Sequence, residues 1–112
     1  MSNAFEDRGK AFEAKYSLDQ ETDFKAHIRR CKLLGLWAAE LMGLPAAKAE
    51  AYARSLIEEN LAAGHHDLEQ RLIRDLAAAQ ADISPEKLQH QMARLTALAH
   101  DQIVAEQASK PI

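Results

Sequence analysis

The densest apolar segment of the chain runs from Lys32 to Leu44 and contains the single tryptophan, Trp37. Its apolar residues recur at helical spacing around nearly the whole circumference, which is typical of a helix surrounded by other elements. Gly35 inside such a helix costs about 1 kcal/mol relative to alanine, so we expect a neighbouring helix to approach its backbone closely. Gly43 followed by Pro45 predicts that this helix ends with Gly43 at C′, in the left-handed conformation.

This central segment belongs to a first helix with a recognisable start. Ser17-Leu-Asp-Gln20 fits a capping box, so we expect the helix to run from about Ser17 to Met42. The predicted inner face consists of Phe24, Ile28, Cys31, Leu34, Gly35, Ala38, Leu41 and Met42.

Three further helices follow from the same kind of pattern. Helix 2 is predicted from Pro45 to about Ala62, and Gly64 ends it. Asp67 can cap helix 3. Helix 4 has the clearest start, Ser84 as N-cap with proline in the first turn. The buried stripes predicted for helices 2, 3 and 4 are Ala49, Tyr52, Ala53, Leu56 and Ile57; Leu68, Leu72, Ile73, Leu76 and Ala79; and Leu88, Met92, Leu95, Ala99 and Ile103. The fold predicted is therefore an all-α four-helix bundle over residues 17–107, followed by a frayed tail at 108–112.

Residues 1–16 differ from the bundle because they contain few apolar groups, three of which are aromatic. Phe5, Phe12 and Tyr16 would form one narrow stripe on a helix, with charged residues of both signs around it. So short a segment is marginal as an isolated helix. One interpretation is a mobile N-terminal arm that becomes helical on a partner. The other is an ordinary flexible terminus, or a first turn packed on its own bundle.

Composition and charge narrow the class of protein. The 22 alanines against six isoleucines, two threonines and one valine favour helix over strand. A net charge of −3 argues against nucleic acid as a partner, because phosphate binding needs a basic face. Positive charge is nevertheless concentrated at Arg29, Arg30 and Lys32. This basic cluster is interpreted either as a solvated face or as a contact for an acidic protein surface or a nucleotide phosphate.

The sequence offers little support for catalysis. A lone cysteine, Cys31, excludes an intramolecular disulfide and is interpreted as a small buried side chain. His65-His66-Asp67 is the one stretch that resembles a metal site, and a catalytic zinc site needs three converging ligands. No phosphate-binding glycine loop or nucleophile elbow occurs. We therefore expect no enzyme activity, no metal and no cofactor. Because no apolar run approaches about 20 residues and no signal peptide is visible, we expect a cytosolic protein without membrane insertion.

Several segments resemble one protein family. They are Phe5-Glu-Asp-Arg-Gly-Lys-Ala-Phe-Glu13, Phe24-Lys-Ala26, Arg29-Arg30 and Lys32-Leu-Leu-Gly-Leu-Trp-Ala-Ala-Glu40. They are similar to the zeta subunit of alphaproteobacterial F-type ATP synthases, and the resemblance covers most of residues 5–105. The second half of the chain is similar chiefly in its helix pattern.

The resemblance implies a four-helix bundle whose N-terminal arm inhibits ATP hydrolysis. The arm would enter a catalytic interface between an α and a β subunit near γ, become helical and block rotation. The side chains implied in this contact are Phe5, Arg8, Lys10, Phe12, Glu13, Lys15 and Tyr16. Gly9 departs from the charged residue expected there and should weaken the bound helix by up to about 1 kcal/mol.

The same resemblance places the protein at the inner membrane through the ATP synthase, on the cytoplasmic side, and as a monomer when free. Two other functions remain open at this point. One is a nucleotide sensor that binds ATP or ADP weakly through Arg29, Arg30 or Lys32. The other is a scaffold whose arm does not inhibit.

Overall fold

The computed structural model describes residues 4–63, 68–81 and 83–109; for residues 4–19, 63 and 109 it describes the backbone alone. The described part of the chain contains four α-helices and no strand. They are α1 (Ala4–Leu41), α2 (Ala46–Ala63), α3 (Leu68–Ala78) and α4 (Pro85–Ser109). The prediction of an all-α fold with four helices is confirmed.

Helix α1 is the element on which the others are assembled. It packs along α2 and α4 and touches α3. Thr22 contacts Gln107 and Arg29 contacts Gln102, so α1 and α4 run in opposite directions. Within the segment around Trp37, Leu34, Ala38 and Ala39 are fully buried, whereas Trp37 is half-buried and Leu41 is exposed.

The core consists mainly of leucine and alanine side chains from all four helices. Those that are buried are Cys31, Leu34, Ala38, Ala39, Ala53, Leu56, Leu68, Leu72, Leu76, Leu88, Leu95, Ala99 and Ile103. Trp37 is half-buried and packs against this core together with Leu33, Tyr52 and Met92. Small residues on α1 allow its neighbours to pack close to its backbone, while the leucines fill the space between helices.

The glycine inside α1 marks such a close approach. A Cβ built on Gly35 would lie 2.6 Å from the Cα of Ala53 and 2.9 Å from its Cβ, on α2. These distances are too short for any side chain at position 35. The expectation that Gly35 admits a neighbouring helix is confirmed.

Helix α1 ends as the glycine at position 43 predicts. Gly43 has a φ of 73°, the Gly43 N–H donates to the Glu40 carbonyl at 3.1 Å, and the Leu44 N–H donates to the Ala39 carbonyl at 3.0 Å. This is a Schellman motif with glycine at C′. Helix α2 then begins at Ala46, one residue later than predicted.

Helix α3 ends in the same motif without a glycine. Gln80 occupies C′ with a φ of 57°, and the Ala81 N–H donates to the Leu76 carbonyl at 2.9 Å. The next helix starts as predicted, because the Ser84 hydroxyl accepts a hydrogen bond from the Lys87 N–H at 3.2 Å. Gly64 and Asp67, expected to end α2 and to cap α3, lie outside the described residues.

Two of the predicted helix boundaries are wrong, the start of the first helix and the end of the fourth. Helix α1 starts at Ala4 and passes through Ser17 without a break, since the preceding residues are mostly good helix formers and a capping serine contributes only about 1 kcal/mol. Helix α4 continues to Ser109, so residues 108 and 109, placed in the predicted tail, are helical. Residues 110–112 lie outside the described residues.

Four residues predicted in buried stripes are exposed instead. Phe24 is 55% exposed, Leu41 46% and Ile73 42%, and Ala79 is exposed in the turn after α3. Helices α1 and α2 are joined by a short turn and pack side by side, with Gly35 against Ala53. Phe24 lies eleven residues before Gly35, so the position opposite it on α2 would be residue 64, one residue after the last residue of that helix. Leu41 lies in the last turn of α1, and Ile73 lies one position around α3 from the buried Leu72.

Candidate functional site

The predicted arm forms the first turns of α1. Its backbone is helical from Ala4 onward and continues into the helix at the centre of the bundle. The side chains expected to contact a partner lie outside the described residues: Phe5, Arg8, Lys10, Phe12, Glu13, Lys15 and Tyr16. Their contacts stay predictions. The backbone shows that the arm and the first bundle helix are one continuous element.

Polar contacts fasten α1 to α4 close to the arm. The Arg29 guanidinium donates to both carboxylate oxygens of Glu106, at 2.8 and 3.0 Å, and to Gln102 Oε1 at 2.8 Å. The Thr22 hydroxyl, buried between the helices, donates to Gln107 Oε1 at 2.9 Å. Arg29 bonds Glu106 through Nη2 and Gln102 through Nη1, so one side chain holds two residues of α4. These contacts therefore set the register of α1 against α4 at the end of the bundle that carries the arm.

A groove of about 440 Å³ lies beside this ion pair, on the seam between α1 and α4. Its polar rim comes from both helices, and two isoleucines supply its apolar part, Ile103 being buried and Ile28 half-buried. The lining residues are Lys25, Ile28, Arg29, Lys32, Ile103, Glu106 and Gln107. We call this surface the basic groove.

Arg30 lies elsewhere, although it follows Arg29 in the chain. It lines a separate cavity of about 200 Å³ together with Asp23, His27 and His100. Its Nε atom is buried and has no hydrogen-bond partner among the described residues. The three cations predicted as one contact are therefore divided, with Arg29 and Lys32 at the basic groove and Arg30 at a different surface.

Cys31 is fully buried. Its Sγ atom lies 3.8 Å from Nε2 of His27. Burial raises the pKa of the thiol, and this effect outweighs the nearby positive charge of Arg30, which lowers the pKa. The thiol is therefore protonated at neutral pH, and the interpretation of Cys31 as a small buried side chain is confirmed.

A polar network between α2 and α3 was not predicted. The Arg71 guanidinium donates to Asp75 Oδ2 at 3.2 Å, to Ser55 Oγ at 2.7 Å and to the carboxylate of Glu59. The Tyr52 hydroxyl donates to the same Asp75 oxygen at 2.8 Å, and the guanidinium carbon of Arg71 lies 5.4 Å from the tyrosine ring centroid. Burial and the hydrogen bond to Asp75 raise the pKa of Tyr52, so its phenol stays protonated. The network holds α3 on α2 and is structural.

The described histidines line two separate surfaces. Within the described ranges, no three His, Cys, Asp or Glu side chains are placed to hold a metal ion. His65, His66 and Asp67, the stretch considered for metal, lie outside the described residues. His90 lines a groove with Trp37 and Leu41, whereas His100 lines the cavity of Arg30.

In the part of the chain that the structure describes, no helix is both long enough and apolar enough to cross a bilayer.

Comparison with known proteins identifies a family. A family model described as ATPase inhibitor subunit zeta matches residues 1–102. The match includes the arm, all of α1 to α3 and most of α4, whereas Ile103, Glu106 and Gln107 of the basic groove follow it. No curated protein and no solved structure matches the chain.

Proposed function

Because the chain belongs to the ATPase inhibitor subunit zeta family, we propose that it inhibits ATP hydrolysis by an F-type ATP synthase and catalyses no reaction itself. The observation that carries this proposal is the single helix from Ala4 to Leu41. Residues 4–19 correspond to roughly 24 Å of helix at 1.5 Å per residue. A helix of that length can enter a cleft between subunits while the bundle stays outside.

The mechanism proposed is a mechanical block. The arm enters a catalytic interface between an α and a β subunit near γ and prevents the conformational change that each hydrolysis cycle requires. Phe5, Phe12 and Tyr16 provide apolar anchors, since buried aromatic side chains carry a large share of binding energy at interfaces. Four charged side chains, Arg8, Lys10, Glu13 and Lys15, pair with charges in the cleft and fix the register of the helix.

The bundle positions the arm in this account. The backbone approach of Gly35 to Ala53 and the contact of Arg29 with Glu106 hold α1 between its neighbours. Movement of the arm about the bundle would therefore bend α1 or separate it from α4. A force on the bound arm would in this way be passed through α1 to the bundle.

The proposal includes the partners and the location. The partners are the α, β and γ subunits, so the protein acts on the cytoplasmic side, peripheral to the inner membrane. It is monomeric when free.

The proposal also predicts a potency. Gly9 lies within the helical part of the arm. Its lower helix propensity, about 1 kcal/mol relative to alanine, predicts about fivefold weaker inhibition than an arm with a charged helix former at this position.

The proposal is tested with two phenylalanine variants on the same helix. Phe12→Ala should raise the half-inhibitory concentration in an ATP hydrolysis assay by about tenfold, because it removes a buried interface anchor. Phe24→Ala is the matched control, since Phe24 is 55% exposed on the bundle. Equal potency of the Phe12→Ala variant and the unmodified chain would count against insertion of the arm.

The geometry gives less support to the nucleotide sensor. Arg29 is held by Glu106 and Gln102, and Arg30 lines a cavity that neither Arg29 nor Lys32 shares. A triphosphate is best bound where several cations or backbone N–H groups converge. Inhibition through the arm is the function that the arrangement favours.

A further inference from the structure

The basic groove is joined to the arm by a single helix. Its first cation, Lys25, lies nine residues after Tyr16 on α1, which is about 13 Å of helix. A partner that surrounds the arm up to Tyr16 would therefore have its outer surface within reach of the groove. Because α1 is unbroken, the arm and the groove would meet that partner in a fixed relative position.

The groove is locally positive on a chain of net charge −3. Lys25, Arg29 and Lys32 lie on α1, and Glu106 faces them from α4. Arg29 is held by Glu106, and Lys25 pairs with Glu21 at 2.8 Å. Lys32 is exposed and forms no ion pair within the part of the chain that the structure describes. After these pairings the surface retains positive charge toward solvent.

The groove also has an apolar part. Ile28 and Ile103 line the groove together with the cations of α1 and the polar residues of α4. A buried apolar centre with a polar rim is the usual anatomy of a protein interface. A fully hydrated anion would not contact the isoleucines. A peptide segment with one apolar side chain and flanking carboxylates would contact both the isoleucines and the cations.

We propose that the basic groove binds an acidic amphipathic segment on the outer surface of the same ATPase that the arm enters. This inference rests on the proposed function. Opposite charges speed the encounter of two proteins and fix their register. A second contact on one rigid helix also raises the effective concentration of the arm at its cleft, so the two contacts reinforce each other.

The test is a charge reversal at the rim that leaves the bundle core untouched. Lys25→Glu/Lys32→Glu should raise the half-inhibitory concentration about tenfold at low salt, with a smaller difference at 0.5 M salt, where charges are screened within about 4 Å. The neutral variant Lys25→Gln/Lys32→Gln should lie between this variant and the unmodified chain. Thermal unfolding of each variant shows whether the bundle is intact.

The matched control makes the same charge change away from the groove. Lys48 on α2 and Lys87 on α4 are both exposed and line neither the basic groove nor the Arg30 cavity. Lys48→Glu/Lys87→Glu gives the same net charge and should inhibit like the unmodified chain. An equal loss in both reversals would show that only overall charge matters, and would overturn the inference.

Two further outcomes separate this inference from the proposed function. If the unmodified chain inhibits and the Lys25→Glu/Lys32→Glu variant inhibits equally well, the groove proposal fails and the arm proposal stands. If the unmodified chain does not inhibit, both fail. Saturable NMR shifts at Ile28 and Lys32 on adding ATP would assign the groove to a phosphate group and would also overturn the inference.

Discussion

Gly35 and Ala53 bring α1 and α2 into backbone contact, because a Cβ on the glycine would lie 2.6 Å from the Cα of Ala53. The next turn of α2 contributes to the same contact, with Leu56 Cδ1 3.1 Å from that Cβ position. A flexible side chain can move aside, but the Cα of a packed helix cannot move without shifting the helix. The spacing of α1 and α2 therefore depends on the absence of a side chain at position 35.

Replacement of this glycine should destabilise the bundle. Gly35→Ala gains about 1 kcal/mol of helix propensity, yet we expect a net loss of about 1–3 kcal/mol because the helices must separate. Urea denaturation measures the change in the free energy of unfolding. A more stable Gly35→Ala variant would show that α1 and α2 are further apart than the structure has them.

The C′ residue of α3 offers a gain in stability. Gln80 adopts a φ of 57°, which costs a residue with a side chain roughly 1 kcal/mol and costs glycine little. Gln80→Gly should therefore raise the free energy of unfolding by about 1 kcal/mol. Gly43→Ala, at the equivalent position of α1, should lower the free energy of unfolding by a similar amount. Nothing within 4 Å would contact the new Cβ, so the loss comes from the positive φ alone. Changes of the same sign in the two variants would contradict this explanation.

Two arginines beside Asp75 should differ in their contribution to stability. The side chain of Arg71 is 14% exposed and bonds three residues, whereas that of Arg74 is 72% exposed and lies 3.8 Å from Asp75. Arg71→Ala should cost about 2–3 kcal/mol because it leaves partly buried acceptors unpaired. Arg74→Ala should change stability by less than about 0.5 kcal/mol. Thermal or urea unfolding of the two variants, compared side by side, tests the assignment of the network to α3 docking.

Cys31 should make stability fall in alkaline solution. Its pKa is raised in the folded protein by burial, so the folded state binds the thiol proton more tightly than the unfolded state does. The stabilisation from this difference is complete below the unfolded pKa, near 8.5, and is lost as the pH rises through the folded pKa. Unfolding of the unmodified chain and of Cys31→Ala should be compared between pH 8 and pH 10. A steeper loss of stability in Cys31→Ala would contradict the assignment.

Most of the fold follows from local signals in the sequence. Gly43 and Ser84 act at helix ends through their own backbone and side-chain chemistry, so their places in the sequence are enough to predict these two helix ends. Phe24 shows the limit of this reasoning. Its spacing matches the buried stripe of α1, but Phe24 is 55% exposed and α2 has no residue opposite it, which depends on how the two helices pair.

The candidate site was predicted less completely for the same reason. Arg29 and Arg30 are adjacent in sequence, but consecutive residues on a helix point about 100° apart and therefore meet different surfaces. Only the register of α1 against α4 shows that Glu106 engages the first of them. For the network at Arg71, the sequence contains one local signal, the i,i+4 spacing of Arg71 and Asp75. The partners of Arg71 on α2 could not be predicted because they depend on helix packing.

The central claim is that the arm is the inhibitory element. Its most direct test is ATP hydrolysis by an F-type ATPase that lacks this subunit, with added full-length chain or a version lacking residues 1–19. The shortened version keeps every buried residue that the structure describes, from Thr22 onward. Inhibition by the full-length chain alone is the predicted result. Equal inhibition by both versions, or inhibition by neither, would contradict the account.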